Sequence, residues 1–133
     1  MYAYGNDIYT SVGVSSYSEW LVKYELGKEV FPPEICPESK LFVFKEKDKL
    51  LDYYGGLIKR EPDLRLFEAY GKNLLAAKDF EIPFFNDNDW KGFWLKDPSL
   101  KKLFDKEHFL TRSSQTFYYA DTVTLLKEIP LLR

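Results

Sequence analysis

The sequence is poor in the residue types that most often carry catalysis or bind metal ions. Its 133 residues include one cysteine, Cys36, and one histidine, His108. A single cysteine excludes an internal disulfide, and one Cys with one His cannot supply the usual zinc ligands. We therefore expect neither a metal site nor a cofactor.

Long apolar runs and a glycine-rich phosphate loop are also missing. No uninterrupted apolar segment reaches the length of about 18 residues needed to span a bilayer, and no charged and apolar leader precedes Gly5. The pair Gly55-Gly56 follows a predicted helix instead of opening one, and no Gly-Lys-Ser/Thr is present. The net charge of −2 provides no overall attraction to nucleic acid or to anionic membranes. These absences predict a cytoplasmic protein that does not bind membranes.

An acidic segment, residues 86–92, resembles the start of a calcium-binding loop. Counted from Asp87, Lys91 takes the fifth position and Pro98 the twelfth, where such a loop has a bidentate glutamate. The segment is therefore interpreted as an ordinary turn.

Aromatic residues, in contrast, are abundant: the chain has 10 Tyr, 11 Phe and 3 Trp. A chain of this length fits a single compact domain, so we predict one domain over residues 1–133. Such a domain has little interior, and some of these rings are expected on its surface.

Alternation of apolar and polar residues predicts most of the secondary structure. Residues 8–14 and 20–26 alternate with a period of two around a short polar stretch, which predicts an antiparallel hairpin. Further strands are predicted at residues 41–44, where a purely apolar run is typical of a central strand, and at 64–70, 116–119 and 122–129.

Helices are predicted at two places. Asp48 is expected to cap a helix of about two turns that Gly55-Gly56 ends. Asp97-Pro98 starts a second one, with an apolar stripe through Leu103 and Phe104. Since strands and helices do not alternate regularly, we predict an α+β fold: a mostly antiparallel sheet of about five or six strands with two or three short helices.

An enzyme is the third of three functions that the residues allow. A Cys36–His108 pair has no orienting third group or local signature, so Cys36 is interpreted as a small apolar residue in a rigid, proline-rich connector. An active site for a nucleotide-like substrate would have to be formed by residues distant in sequence: Tyr24, Lys28, Glu68 and His108. Glu68 falls on the apolar face of its predicted strand, but a solvated or lysine-paired carboxylate is the simpler interpretation. We expect no catalytic residues.

Binding of single-stranded nucleic acid is the second possibility. Aromatic rings and lysines interleave over residues 90–106, a pattern that suits stacking on bases beside phosphates. Its candidate residues are Trp90, Lys91, Trp94, Lys96, Lys101, Lys102 and Lys106. Four aspartates lie among these lysines, which is more typical of a solvated face.

Protein–protein interaction is the function that the sequence favours. Large aromatic side chains dominate the energetics of interfaces, and one short segment holds five of them. The predicted interface residues are Phe84, Phe85, Trp90, Phe93 and Trp94. The expected partner is a host protein or a second copy of this chain.

A loose resemblance to a group of proteins runs through most of the chain. Its motifs are Tyr24-x-x-Gly27-Lys28, Pro32-Pro33, Leu41-Phe42-Val43-Phe44 with a short helix after it, the strand Leu64 to Ala69, and Tyr119-Ala120-Asp121-x-Val123. In these the chain resembles small uncharacterised accessory proteins encoded by phages, archaeal viruses and prophages. The resemblance implies a protein that binds and inhibits a host factor, such as a defence factor. The aromatic insertion from Phe80 to Leu95 departs from the pattern.

Overall fold

The structure, a computed structural model, describes residues 1–11, 17–76 and 118–131, which form nine β-strands and one α-helix. The strands make three antiparallel sheets of three strands each. The prediction of an α+β fold with two or three helices is wrong, because the described part is mostly β. Within the described residues, short strands joined by polar turns dominate, and a helical period is sustained only over Lys47–Arg60. The predicted helix at Asp97-Pro98 lies outside the described residues, and the single domain stays a prediction.

The first sheet contains the predicted hairpin. Its strands, in the order β1-β2-β3, are Tyr2–Gly5, Ile8–Thr10 and Lys23–Glu25. The antiparallel pairing of β2 with β3 is confirmed, with Tyr9 opposite Tyr24. The strands are shorter than predicted, and β1 is an addition that turns back through Asp7, whose φ of 58° lies in the left-handed region.

The second and third sheets share one continuous stretch of chain, which we call the central ribbon. It consists of β8 (Tyr118–Ala120) and β9 (Thr122–Ile129), with Asp121 alone between them. On one flank β6 (Leu66–Lys72) pairs with β9 and β7 (Leu75–Ala76) with β8. On the other flank β4 (Glu29–Val30) pairs with β9 and β5 (Leu41–Val43) with β8. The strands predicted near the end of the chain are thus confirmed.

The apolar run of β5 predicts a central strand, but the described part of the chain does not place it at the centre of its sheet. It lies at the edge of its three-stranded sheet in the described part of the chain, since β8 pairs with β7 on its other side. Only Leu41 of its residues is buried, while Phe42 and Val43 are half-buried. An apolar run predicts burial on both faces but cannot tell an edge from a centre.

The helix α1 (Lys47–Arg60) is twice as long as predicted and passes through Gly55-Gly56. The chain leaves the helical conformation at Glu61, with φ −115° and ψ 94°. Proline at the next position, 62, disfavours helical geometry at Glu61, whereas glycine only lowers helix propensity by about 1 kcal/mol. Asp48 lies in the first turn and the N-cap is Glu46, which makes no side-chain capping bond.

One hydrophobic core joins the three sheets. Its buried members are Val22, Tyr24, Leu41, Ala120, Val123 and Leu125. Val22 precedes β3 and Tyr24 lies in it, whereas the other four residues belong to β5 and the central ribbon. The first sheet therefore packs on the ribbon. This packing covers only the face of β9 that carries Val123 and Leu125. The face of β9 that points away from the first sheet is not covered by it.

Candidate protein-binding surface

The junction of β8 and β9 is held by three polar side chains, which we call the Asp121 cluster. The Asp121 carboxylate accepts a hydrogen bond from Lys40 Nζ, its ion-pair partner, and a 2.8 Å bond from Asn73 Nδ2. The Asp121 backbone N–H donates to the Lys72 carbonyl over 2.9 Å. The hydrogen bonds from Lys40 and then Asn73 hold the pKa of the Asp121 carboxyl below its usual value. The cluster thus joins both flanks of the central ribbon where its two strands meet.

Residues 31–40, which we call the proline loop, leave the sheet and return at this same junction. The strand before the loop is anchored by Thr122 Oγ1, which donates to Glu29 Oε2 over 3.0 Å. The loop's last residue, Lys40, is anchored by Asp121. Because Asp121 and Thr122 are adjacent, the two ends of the loop lie side by side, as in a compact surface loop.

The interior of the proline loop is two consecutive turns. The Cys36 N–H donates to the Pro33 carbonyl over 3.0 Å, and the Ser39 N–H donates to the Cys36 carbonyl over 3.0 Å. Ser39 Oγ donates to that same carbonyl over 2.7 Å. The Cys36 and Ser39 side chains are buried. With prolines at positions 32, 33 and 37 also restricting φ, the loop has little freedom, in agreement with the predicted rigid connector.

An exposed apolar face, which we call the outer face, lies on the second sheet. Directly paired residues share a face, and pairing places Tyr70 of β6, Thr124 of β9 and Glu29 of β4 in one row. Leu126 follows Thr124 by two positions, and Phe31 follows Glu29 by two. Phe31 is 62% exposed, Tyr70 61% and Leu126 52%. Tyr70 thus lies beside Thr124, whereas Leu126 and Phe31 lie two positions from this row in opposite directions along the strands, and all three are exposed to solvent.

A β-bulge shapes the outer face. The register of β6 against β9 shifts between Glu68 and Ala69, which leaves Leu126 as the extra residue of β9. The bulge puts Leu126 and Lys127 in succession on the exposed side, while Leu125 stays in the core. Lys127 Nζ lies 3.3 Å from Glu68 Oε2.

Charged residues form the rim of this surface. Glu29 lies in the row of Tyr70 and Thr124 on the outer strand β4, Lys72 lies two positions beyond Tyr70 on β6, and both are exposed. An apolar centre with a charged rim is the usual anatomy of a protein interface.

The interface and nucleic-acid residues predicted from the sequence lie outside the described residues. This holds for Phe84, Phe85, Trp90, Phe93 and Trp94, and also for Lys91, Lys96, Lys101, Lys102 and Lys106. Both sets stay predictions. The acidic segment at 86–92 lies outside the described residues as well.

The residues of the predicted enzyme site have separate partners. Tyr24 is 3% exposed in the core, where desolvation raises the pKa of its phenol against a hydrogen bond with Ser11. Lys28 pairs with Glu25 over 3.0 Å, and Glu68 is half-exposed and paired with Lys127. The lysine-paired interpretation of Glu68 is therefore confirmed. His108 lies outside the described residues.

Cys36 is buried inside the proline loop. Burial and a 3.5 Å hydrogen bond from its Sγ to Glu38 Oε2 raise the pKa of the thiol. A raised pKa leaves little thiolate at neutral pH, so the surroundings of Cys36 are the opposite of those that activate a cysteine.

The residues of the outer face are absent from the interface predicted from the sequence. Alternation assigns Tyr70 to the apolar side of its strand together with Leu66. Leu66 is buried and Tyr70, on the same side, is exposed, so that side is covered only at its start. The signal for exposure is the flanking charge, since Tyr70 stands between Glu68 and Lys72 in the period-two pattern.

Comparison with known proteins adds no relative: no protein family, curated protein or solved structure matches the chain significantly. The resemblance to viral accessory proteins therefore stays a prediction. In the described ranges, no helix has the length and apolar character required to cross a membrane.

Proposed function

We propose that the protein acts in the cytoplasm by binding another protein, and that it does so with the outer face and the adjoining proline loop. The observation that supports this is the placement of Phe31, Tyr70 and Leu126, each more than half exposed, along one side of the second sheet. Scattered exposed apolar residues are common, but grouped ones mark interaction sites.

The gain from covering these side chains is large enough to contribute to recognition. Fully burying a Phe or Leu side chain is worth about 1.5–3 kcal/mol, so burying the exposed half of each is worth about 1 kcal/mol. Phe31 and Tyr70 are also of the aromatic type that provides anchors at interfaces.

Rigidity supports the same proposal. Phe31 is followed by two prolines in a loop whose ends are joined by Glu29–Thr122 and Lys40–Asp121 contacts. Tyr70 and Leu126 stand on paired strands. A surface that is ordered before binding loses little conformational entropy when the partner arrives.

The finer parts of the proposal come from the sequence. We propose that the partner is a host protein and that binding inhibits a defence factor, because the resemblance to viral accessory proteins implies both. No observation on the described residues favours nucleic-acid binding or an enzyme over protein binding, so these alternatives stay predictions.

The proposal is tested by affinity capture from host cells with three forms of the chain. Wild type is compared with the double variant Phe31→Ala/Leu126→Ala and with the control Leu75→Ala. Leu75 is 63% exposed, as much as Phe31, but stands on β7 beyond the Asp121 cluster. We expect a protein that is retained by wild type and by the control and lost by the double variant.

Two results would contradict the proposal. A partner retained equally by all three forms would show that binding does not use the outer face. Failure of wild type to retain or cross-link to any host protein would contradict protein binding itself.

A further inference from the structure

The edge of β6 that faces away from β9 pairs with no other strand in the described part of the chain. β6 is the last strand of the order β4-β9-β6. Its predecessor Arg65 exchanges both backbone bonds with Met1, over 2.7 Å and 2.6 Å. Such reciprocal bonds define an antiparallel pair. The edge of β6 therefore already holds the first residue of an antiparallel neighbour.

The bonds of β9 identify which residues of β6 point outward. Leu125, the partner of Ala69, turns its carbonyl to the opposite flank, where it accepts from the Gly27 N–H over 2.8 Å. The Ala69–Leu125 pair is therefore of the non-hydrogen-bonded kind, and Ala69 directs its own N–H and C=O away from β9. Since backbone groups alternate along a strand, Gly71 directs its groups outward too.

Side chains along this edge are self-complementary about Tyr70. On the side of the outer face β6 carries Glu68, Tyr70 and Lys72, which is an acid, an aromatic ring and a base at equal spacing. In an antiparallel pair of two such strands centred on Tyr70, each Glu68 lies opposite a Lys72. Opposite charges placed directly across a pair of strands are stabilising, and like charges are destabilising.

We propose that the protein forms a two-fold symmetric dimer through antiparallel pairing of β6 with β6 of a second copy, centred on Tyr70. Ala69 of each copy exchanges backbone bonds with Gly71 of the other. The two Tyr70 side chains meet on the axis. On either side, Lys72 of one copy lies opposite Glu68 of the other, whose carboxylate also pairs with Lys127 of its own copy.

Other registers fit less well. Centring the pair on Glu68 puts two carboxylates opposite each other and requires the groups of Arg65, which Met1 already occupies. Centring it on Ala69 leaves Lys72 opposite Leu66. At the C-terminal end of β6 the ladder stops before Asn73, whose φ of 55° takes the chain out of the strand. The ladder therefore spans residues 68–72.

The dimer extends beyond the proposed function without depending on it. Pairing two β6 edges joins two outer faces into one surface, while Phe31 and Leu126 remain available to another protein. A five-residue ladder is small beside the roughly 1,200–2,000 Å² buried in stable complexes, so we expect a weak, concentration-dependent dimer.

Charge reversal tests the register. In sedimentation velocity from about 10 µM to about 1 mM, a range suited to a weak dimer, wild type is expected to become dimeric. Glu68→Lys and Lys72→Glu are each expected to stay monomeric, because each places like charges opposite one another. Their equimolar mixture is expected to dimerise again, which also shows that both variants are folded. A wild type that stays monomeric throughout, or single variants that dimerise as wild type does, would overturn the proposal.

Disulfide cross-linking tests the axis. Two Tyr70 residues form a non-hydrogen-bonded pair with Cα atoms about 4.5 Å apart, close enough for a disulfide in Tyr70→Cys. In the control Lys72→Cys the two positions are four residues apart along the strands, about 13 Å, too far for a bond. We expect Tyr70→Cys alone to cross-link rapidly under mild oxidation. Equal cross-linking of the two variants would refute the pairing, whatever the outcome of the host-protein capture.

Discussion

Two adjacent leucines, Leu125 and Leu126, provide a direct test of how β9 is placed between core and solvent. Leu125 is 1% exposed and belongs to the core, whereas Leu126 is 52% exposed on the outer face. A shift of the strand by one residue would exchange their positions. The substitutions Leu125→Ala and Leu126→Ala therefore have very different expected effects.

The magnitudes follow from burial. Leu→Ala removes the equivalent of three methylene groups, about 0.8 kcal/mol each when buried, and a cavity adds to this, so Leu125→Ala is expected to lower the free energy of unfolding by about 3 kcal/mol. Leu126→Ala leaves no cavity, and we expect a change within about 0.5 kcal/mol. A loss of 3 kcal/mol corresponds to a decrease of about 10 °C in Tm for a chain of this size.

Urea denaturation followed by tryptophan fluorescence measures both changes, and equal m-values for the variants would show that the extent of unfolding is unaltered. Equal losses in the two variants, or a larger loss in Leu126→Ala, would refute the register and with it the outer face. If Leu126→Ala keeps its stability, its effect in the capture experiment can be attributed to binding.

Two further predictions concern titratable side chains. Burial, with a smaller contribution from Tyr53, raises the pKa of Tyr54 to about 12, so the unfolded chain loses this proton from pH 10 upward while the folded chain keeps it. The free energy of unfolding is therefore expected to fall between pH 10 and 12 by about 2 kcal/mol more in wild type than in Tyr54→Phe; equal slopes in pH-dependent denaturation would contradict this. The buried Cys36 thiol, with its raised pKa, is expected to resist a thiol reagent at pH 8 in the folded chain and to react fully in denaturant. Rapid reaction of the folded chain would show that the proline loop opens.

Several elements are predictable because their causes are local. The pairing of β2 with β3 follows from alternation around a short polar stretch, and the long β9 follows from its β-branched content. Both signals act over a few neighbouring positions. The rigid character of the proline loop follows from its prolines. The paired state of Glu68 follows from the usual cost of burying a carboxylate.

Other features depend on competition between signals of similar strength. Gly55-Gly56 is a plausible helix end until Pro62 is seen to be the stronger one. The apolar run at residues 41–44 is equally compatible with a central strand and with an edge strand whose inner face packs on a core.

The sequence by itself determined the strands of the hairpin, the strands near the end of the chain and the stiffness of the proline loop, since these rest on interactions between near neighbours. Only the tertiary structure decided where these elements meet. Lys40 and Asn73 reach Asp121 across 81 and 48 positions of sequence, and no local pattern encodes such contacts. The exposure of Tyr70 and Leu126 is likewise a tertiary property, because a side chain is exposed or buried according to what packs against its face.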